Sequence, residues 1–209
     1  MKIVLNNVRK KYRDTVVLDI DELTVEKGKI TGITGSNGAG KTTLLNIIAG
    51  LDDRYEGSVT YNGNELCSEA MDEMTLVFQK PYLLKRSVYE NIAYPLHIRK
   101  KKKEYIKEKV METAKELQIE DLLNKKGHQL SGGESQKVAM ARAIALEPKV
   151  LLLDEPTSNL DPDSMLILEN AVRKYNEKNN ATVMVITHNM EQADRICHNQ
   201  IRLELGRMK

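Results

Sequence analysis

A run of nine residues carries the clearest chemical pattern in this chain, because it fits the phosphate-binding pattern G-x-x-x-x-G-K-[ST]. Its members are Gly35, Ser36, Asn37, Gly38, Ala39, Gly40, Lys41, Thr42 and Thr43. The glycines let several backbone N–H groups point into one concavity, which suits the oxygens of a polyphosphate. Lys41 can then reach the β- and γ-phosphates, and the Thr42 hydroxyl can ligate Mg²⁺. The run predicts a site for a nucleoside triphosphate and Mg²⁺.

The segments on either side of this run are those that a phosphate-binding loop requires. Ile30 to Thr34 is a short apolar stretch typical of a buried strand. Thr43 to Ala49 has the apolar spacing of a helix, and Gly50 provides a stop signal. The alternative, an ordinary glycine-rich turn, does not require this order of strand, loop and helix.

A pair of adjacent carboxylates follows a second apolar stretch. Val150 to Leu153 predicts a strand buried on both faces, and Asp154 and Glu155 come directly after it. Carboxylates at the end of a parallel strand emerge where ligands bind in open α/β sheets. Asp154 is therefore a candidate Mg²⁺ partner, and Glu155 is placed to orient or deprotonate an attacking water. An acidic pair that only forms a turn is the alternative.

A second candidate anion site lies at Ser131, Gly132 and Gly133, just before a predicted helix from about Glu134 to Leu146. Serine and glycines at a helix start leave N–H groups and the helix dipole free for an anion. The alternative is a simple helix cap with flexible glycines. One nucleotide could use both anion sites only if they came from different subunits or from a folded-over geometry.

Composition narrows the function classes. The 209 residues have a net charge of +2, which gives no electrostatic argument for binding nucleic acid. No apolar run approaches the roughly 20 residues of a membrane span, and the N-terminus lacks the apolar stretch of a signal peptide. Cys67 and Cys197 are far apart and have no metal-ligand spacing, so a reduced cytosolic chain is expected.

The pattern along the chain predicts an α/β fold. We expect a phosphate-loop NTPase core with a mostly parallel sheet, an N-terminal antiparallel β subdomain and an inserted α-helical subdomain. The core and β subdomain would span about 1–79 and 148–209, and the helical subdomain about 80–147. Asn62-Gly63 predicts a hairpin turn after a strand at Val59 to Tyr61, and Ile201 to Leu205 predicts an edge strand. The basic run at 99–103 is typical of a solvated loop and helix start.

Taken together, these motifs resemble the nucleotide-binding subunit of an ATP-binding cassette (ABC) transporter along essentially the whole chain. The phosphate loop and the acidic pair match the Walker A and Walker B motifs of that family, and residues 130–134 match its signature motif. The resemblance implies that Tyr12 stacks on adenine, that Gln79 ligates Mg²⁺ and takes part in catalysis, and that His188 is the switch histidine. It also implies that Glu155 is the catalytic glutamate and that Asp161 lies at a dimer interface.

The resemblance further implies an ATPase that forms a head-to-tail homodimer, in which Ser131 and Gly133 of one chain close over the γ-phosphate held by Lys41 of the other. The expected partners are separate transmembrane permease subunits and an extracytoplasmic solute-binding protein, without nucleic acid. The chain would be cytoplasmic and peripheral on the inner face of the membrane. A non-transport ABC ATPase and a regulatory nucleotide binder are the alternatives that the complete motif set disfavours.

The segment from Phe78 to Leu84 resembles the importer class, and within it the chain is similar to tungstate or molybdate uptake ATPases. A small exporter of the lipoprotein or antimicrobial-peptide class is the alternative. Tyr82, Leu83 and Leu84 form an apolar cluster just after Gln79, which predicts an exposed groove for a helix of the membrane subunit.

Overall fold

The computed structural model describes residues 1–209, which form nine strands and seven α-helices. The strands are β1 Ile3–Tyr12, β2 Thr15–Val25, β3 Ile30–Thr34, β4 Glu56–Tyr61, β5 Met74–Val77, β6 Val150–Asp154, β7 Thr182–Ile186, β8 Asn199–Glu204 and β9 Arg207–Met208. The helices are α1 Lys41–Ile48, α2 Ser68–Asp72, α3 Val88–Ile98, α4 Lys103–Glu116, α5 Gly132–Ile144, α6 Pro162–Asn179 and α7 Met190–Ile196. Two short 3-10 turns, Glu120–Leu122 and Gly127–Gln129, lie between α4 and α5.

A six-stranded sheet in the order β5-β6-β7-β3-β8-β9 positions the candidate site. All of its neighbouring strands are parallel except β8 and β9. Every residue of β3, β6 and β7 is buried, which explains why their sequences are apolar without alternation. Because parallel strands end at the same edge, the segments that follow β3, β5, β6 and β7 emerge together. The expected α/β fold class is confirmed.

A smaller antiparallel sheet in the order β2-β1-β4 covers α1. Its inward-facing residues, among them Ile3, Leu5 and Val8, are fully buried in a core cluster of 23 residues. Leu44 and Leu45 of α1 belong to the same cluster. Packing of this sheet on α1 therefore places β1 and β2 next to the loop that precedes α1.

Helices α3, α4 and α5 occupy the stretch between β5 and β6. They share a core cluster of 29 buried residues with one face of the larger sheet. A capping box between Ser87 and Glu90 begins α3, because each residue's side chain bonds the other's backbone N–H. The subdomain bounds expected from the sequence (1–79 with 148–209, and 80–147) stay a prediction.

Two local expectations are wrong. The segment Ile201 to Leu205 falls within and just after β8, which is not an edge strand, because a turn at Leu205 and Gly206 adds β9 outside it. Asn62-Gly63 does form a turn with positive φ at both residues, but only an isolated bridge from Tyr61 to Asn64 follows it. The pairing does not continue beyond this bridge because no strand follows the turn; the next element is α2.

None of the helices combines the length and the apolar character that crossing a bilayer requires.

Candidate functional site

The loop between β3 and α1 has bends that glycine alone adopts without strain. Gly35, Gly38 and Gly40 have φ values of 143°, 80° and 96°. A Cβ atom on Gly35 would lie 2.2 Å from the carbonyl oxygen of Leu203, and one on Gly40 would lie 2.6 Å from that of Val17. The loop is thus packed between β8 and β2, and both contacts depend on the missing side chain.

The first residues of α1 carry the two side chains that the motif requires. Lys41 is buried, and its Nζ donates to the carbonyl oxygens of Gly35 at 2.8 Å and Ser36 at 2.9 Å. The Thr42 hydroxyl donates to Asp154 Oδ2 at 3.0 Å. The ammonium therefore lies against the loop, where phosphate oxygens can replace the carbonyl oxygens as its partners.

Asp154 ends β6 and is 7% exposed. Burial raises the pKa of its carboxyl group above the usual range, and the hydrogen bond from Thr42 opposes that shift. The neighbouring Glu155 raises this pKa further, and the Lys41 ammonium lowers it. A buried carboxylate next to a threonine hydroxyl offers hard oxygen ligands, which fit the coordination chemistry of Mg²⁺.

Residues from three neighbouring strand ends meet at Glu155. Its backbone has a left-handed φ of 44°, and its N–H donates to the carbonyl oxygen of Ile186 at the end of β7. Its Oε2 accepts a hydrogen bond from Gln79 Nε2 at 2.8 Å and lies 3.4 Å from His188 Nδ1. The unusual backbone angle and these contacts aim the carboxylate at the space above the phosphate loop.

A cavity of 890 Å³ lies in that space. Its wall contains most of the residues predicted from the sequence, with three that were not predicted. The predicted ones are Gly35, Ser36, Asn37, Gly38, Gly40, Lys41, Thr42, Thr43, Gln79, Glu155 and His188. Ala39 is buried under the loop, and Asp154 reaches the cavity only through Thr42. A polar concavity of this size suits a nucleoside triphosphate.

Tyr12 lies outside the wall of this cavity. It ends β1, and 48% of its surface is exposed. Its hydroxyl donates to Asp52 Oδ2 at 3.1 Å, and the Lys10 ammonium lies 4.9 Å from the centre of its ring. The predicted contact of Tyr12 with adenine stays a prediction.

The signature segment also lies outside the cavity. Ser131 caps α5: its Oγ accepts from the Glu134 N–H, and the Glu134 carboxylate accepts from the Ser131 N–H. That second bond lowers the pKa of Glu134. Ser131 and Gly132 are exposed, and a Cβ atom on Gly132 would meet nothing within 4 Å. Within one chain the two predicted anion sites therefore do not share a cavity.

Three wall residues are not among the predicted binding residues: Val17, Ser158 and Asn159, of which the last two belong to the same loop as Asp161. Asn159 has a φ of 61°, and asparagine tolerates this conformation, so the short loop after the Asp154–Glu155 pair held a usable signal. Asp161 ends that loop and caps α6 by accepting from the Ser164 N–H at 2.8 Å. Val17 sits at an irregularity in the pairing of β1 with β2, for which the sequence has no local signal.

The fold and the site define a phosphate-loop NTPase, since a parallel sheet presents a glycine-rich loop, a lysine and strand-end carboxylates at one edge. A family model described as "ABC transporter" matches residues 18–158. The chain belongs to the ABC transporter family, and its activity is ATP hydrolysis coupled to transport. The resemblance inferred from the motifs is confirmed.

Curated relatives lead to the same family. The chain is 53% identical to the tungstate uptake system ATP-binding protein TupC of Peptoclostridium acidaminophilum, and the match covers 100% of this chain and 97% of that protein. It is 39% identical to the methionine import ATP-binding protein MetN of Clostridium tetani, with 98% of this chain and 67% of that protein covered.

Solved structures agree in fold. The dimeric structure of MJ0796, a bacterial ABC transporter cassette, is similar with a TM-score of 0.89 and 32% identity, and the match covers 99% of this chain and 96% of that one. A post-hydrolysis state of the same cassette, bound to ADP and phosphate, matches equally well.

Proposed function

We propose that this chain is the ATP-hydrolysing subunit of an importer for tungstate or for a similar tetrahedral oxyanion such as molybdate. The observation that supports this cargo is the identity with the tungstate uptake protein, which extends over nearly the full length of both chains. The methionine import relatives are less similar, and part of their length has no counterpart here. The relatives are import subunits, which disfavours an exporter or a non-transport ATPase.

In this function the phosphate loop and Lys41 bind the triphosphate. Thr42, Asp154 and the amide oxygen of Gln79 would hold Mg²⁺, which when bound neutralises charge on the β- and γ-phosphate oxygens. The Thr42–Asp154 contact of 3.0 Å fits two oxygen ligands of one small cation. Gln79 donates its amide N–H to Glu155, which leaves its oxygen available.

Glu155 would then act as the general base. It accepts a proton from the attacking water, while the Gln79 N–H and His188 keep its carboxylate oriented toward the γ-phosphate. A carboxylate held by two neighbours needs little reorganisation when the water attacks, which favours hydrolysis.

We further propose a head-to-tail dimer with two composite sites. Ser131 and Gly132 are exposed and lie outside the cavity wall of their own chain, so their helix N-terminus can bind the γ-phosphate held by Lys41 of a second copy. The similar cassette of known structure is dimeric, which supports the arrangement.

Mixing two inactive variants tests the dimer. Ser131→Arg blocks the signature segment, and Lys41→Ala removes the phosphate contact, so each homodimer is inactive. The mixed dimer contains one site with an intact Lys41 and an intact Ser131, and activity should reappear on mixing. Failure to recover activity, with mixed dimers demonstrated by differential tagging, would contradict composite sites.

A groove on the helical side of the molecule would receive the permease. It has a volume of 380 Å³, and ten of its fourteen wall residues are hydrophobic. Tyr82 and Leu84 line it as expected, whereas Leu83 packs against the main core. Tyr82 is 78% exposed and Ile98 is 62% exposed, so both present apolar surface that a partner helix can cover.

Charged substitutions test this surface. Tyr82→Glu and Ile98→Glu should abolish pull-down of the chain by its membrane subunit and stop transport, while the purified protein keeps its ATPase activity. Met111→Glu is the matched control, because Met111 is an exposed apolar residue on α4 outside the groove. Permease binding that survives both groove substitutions would exclude this surface as the docking site.

In this proposal the chain lies on the inner face of the membrane and contacts the permease subunits. An extracytoplasmic solute-binding protein supplies the cargo on the other side of the membrane. The complete transporter, purified with its membrane subunits and binding protein in vesicles, tests the cargo. ATP-dependent accumulation of tungstate or molybdate, without accumulation of methionine, is the expected result. Uptake of methionine alone would replace this cargo assignment and leave the ATPase assignment intact.

A further inference from the structure

Lys10 is a charged residue in an unusual place. It lies on β1 with 2% of its surface exposed, among the most deeply buried large side chains of the protein. Its Nζ donates to Asp52 Oδ1 at 2.6 Å and to the carbonyl oxygen of Arg54 at 2.7 Å. A buried ammonium is costly unless it is paired and hydrogen-bonded, so these contacts explain how the charge is tolerated. They do not explain why a charge is present.

The same charged pair also touches Tyr12. The Lys10 ammonium lies 4.9 Å from the centre of the tyrosine ring, a distance typical of a cation–π contact. The tyrosine hydroxyl donates to Asp52 Oδ2, the oxygen that Lys10 does not use. The ring is therefore held at its hydroxyl and by the nearby cation, while about half of its surface, 48%, remains exposed.

These residues connect β1 with the loop that follows α1, at the end of α1 opposite the phosphate loop. Lys10 pairs with Leu18 of β2, and a Cβ atom on Gly40 of the phosphate loop would lie 2.8 Å from Leu18 Cδ2. Asp52 follows the end of α1, the helix that starts from the same loop. The bond between Lys10 and Asp52 thus connects the strand that carries Tyr12 to the loop that follows α1.

We propose that Lys10 and Asp52 are positioning residues that hold the Tyr12 ring ready to stack on the nucleotide base. This rests on the proposed function, in which Tyr12 contacts the base. A fixed ring loses little conformational freedom on binding, and a cation that attracts its electrons strengthens stacking on an electron-rich purine. The Lys10–Asp52 pair thereby strengthens binding of the base, whereas the phosphate loop binds the triphosphate.

The test compares two ligands that differ in the base. Dissociation constants for ATP and for inorganic tripolyphosphate are measured by calorimetry on the wild type and on Lys10→Met, which keeps the side-chain length and removes the charge. Lys10→Met should bind ATP about 5- to 10-fold more weakly, because the ring loses the cation that orders it before binding and polarises it for stacking. Its affinity for tripolyphosphate should be that of the wild type, and Lys10→Arg should restore part of the ATP affinity.

Two further variants keep the outcome decisive. Tyr12→Leu should lose ATP affinity and keep tripolyphosphate affinity, and adding Lys10→Met to it should cause no further loss. If Lys10→Met does not fold, Tyr12→Phe replaces it, because this change breaks only the bond to Asp52 at an exposed ring. It should weaken ATP binding about 2-fold without affecting tripolyphosphate.

Three results would overturn the inference. The first is a folded Lys10→Met protein with unchanged affinity for ATP, and the second is a Lys10→Met protein that loses affinity for ATP and for tripolyphosphate equally. The third is a Tyr12→Leu protein that binds ATP like the wild type. Equal losses would mean that Lys10 supports the phosphate loop instead of the base. A wild-type protein that binds neither ligand would instead contradict the proposed function itself.

Discussion

Replacing Glu155 by glutamine isolates its role as a base. Glutamine has nearly the same shape, and the Glu155 side chain is only 14% exposed, so the replacement has one well-defined position. Gln79 Nε2 now donates to Glu155 Oε2 at 2.8 Å, and it can donate to an amide oxygen in the same place. That bond loses its charge assistance and roughly half of its strength, whereas the geometry is kept.

The magnitude follows from what the amide cannot do. It cannot accept the proton of the attacking water, and general-base catalysis is typically worth about 10²- to 10⁴-fold. This corresponds to about 2.7–5.4 kcal/mol of the activation barrier at about 1.36 kcal/mol per factor of ten. Binding should be unchanged or tighter, because the substitution removes a negative charge that faces the triphosphate. The expected result is a kcat lower by at least about 100-fold with an undiminished affinity for ATP.

Three measurements on the purified variant check this: phosphate release, equilibrium titration of the nucleotide, and mass by light scattering in Mg-ATP. A dimer should persist, at twice the 23.7 kDa of one chain. Glu177→Gln is the control, because it makes the same charge change at an exposed residue of α6. Turnover within about tenfold of the wild type would refute the assignment of Glu155 as the base.

Three further outcomes are expected. Gly40→Ala should lower the free energy of unfolding by roughly 1–3 kcal/mol, since its φ of 96° and the nearby β2 strain any side chain, whereas Gly132→Ala should not; urea titration compares them. Burial raises the pKa of Asp154, so acidification protonates this carboxylate at a higher pH than an ordinary aspartate; Mg²⁺-dependent ATP binding should therefore begin to fall above the pH at which an ordinary aspartate is protonated, and EDTA should remove the Mg²⁺-dependent part of that loss. Glu169→Leu should lower the free energy of unfolding, measured by the same urea titration, by about 1–3 kcal/mol, because buried Gln192 and the half-exposed Arg195 lose their carboxylate partner. A variant as stable as the wild type would contradict this.

Local sequence was sufficient where the chemistry depends on neighbours in the chain. The glycines of the phosphate loop, the residues that start α1 and the carboxylates that end β6 are set by spacing of a few residues, and they were predicted correctly as a strand, loop and helix. The cap of α5 by Ser131 is equally local, because its partner Glu134 is three residues away. The division into an α/β core with an inserted helical stretch followed from the change in hydrophobic period.

Other features of the site depend on the order of the strands in the sheet. The alternation of side chains along one strand does not indicate that order. Gln79, Glu155 and His188 follow β5, β6 and β7, and they meet because those strands are neighbours in the sheet. The sequence alone predicts β8 as an edge strand, because the two residues of β9 are too few to show a pattern.

The sequence by itself determined which groups can do chemistry here: a phosphate loop, a candidate magnesium ligand, a candidate base and a capped helix that can bind an anion. Only the tertiary structure decided which of them face one another, and it alone brought Lys10 and Tyr12 to Asp52, forty residues away along the chain from the tyrosine. The physical reason is that local spacing fixes dihedral angles and side-chain periodicity, whereas contacts between strands and helices depend on register and packing, in which a shift of one residue moves a side chain to the other face.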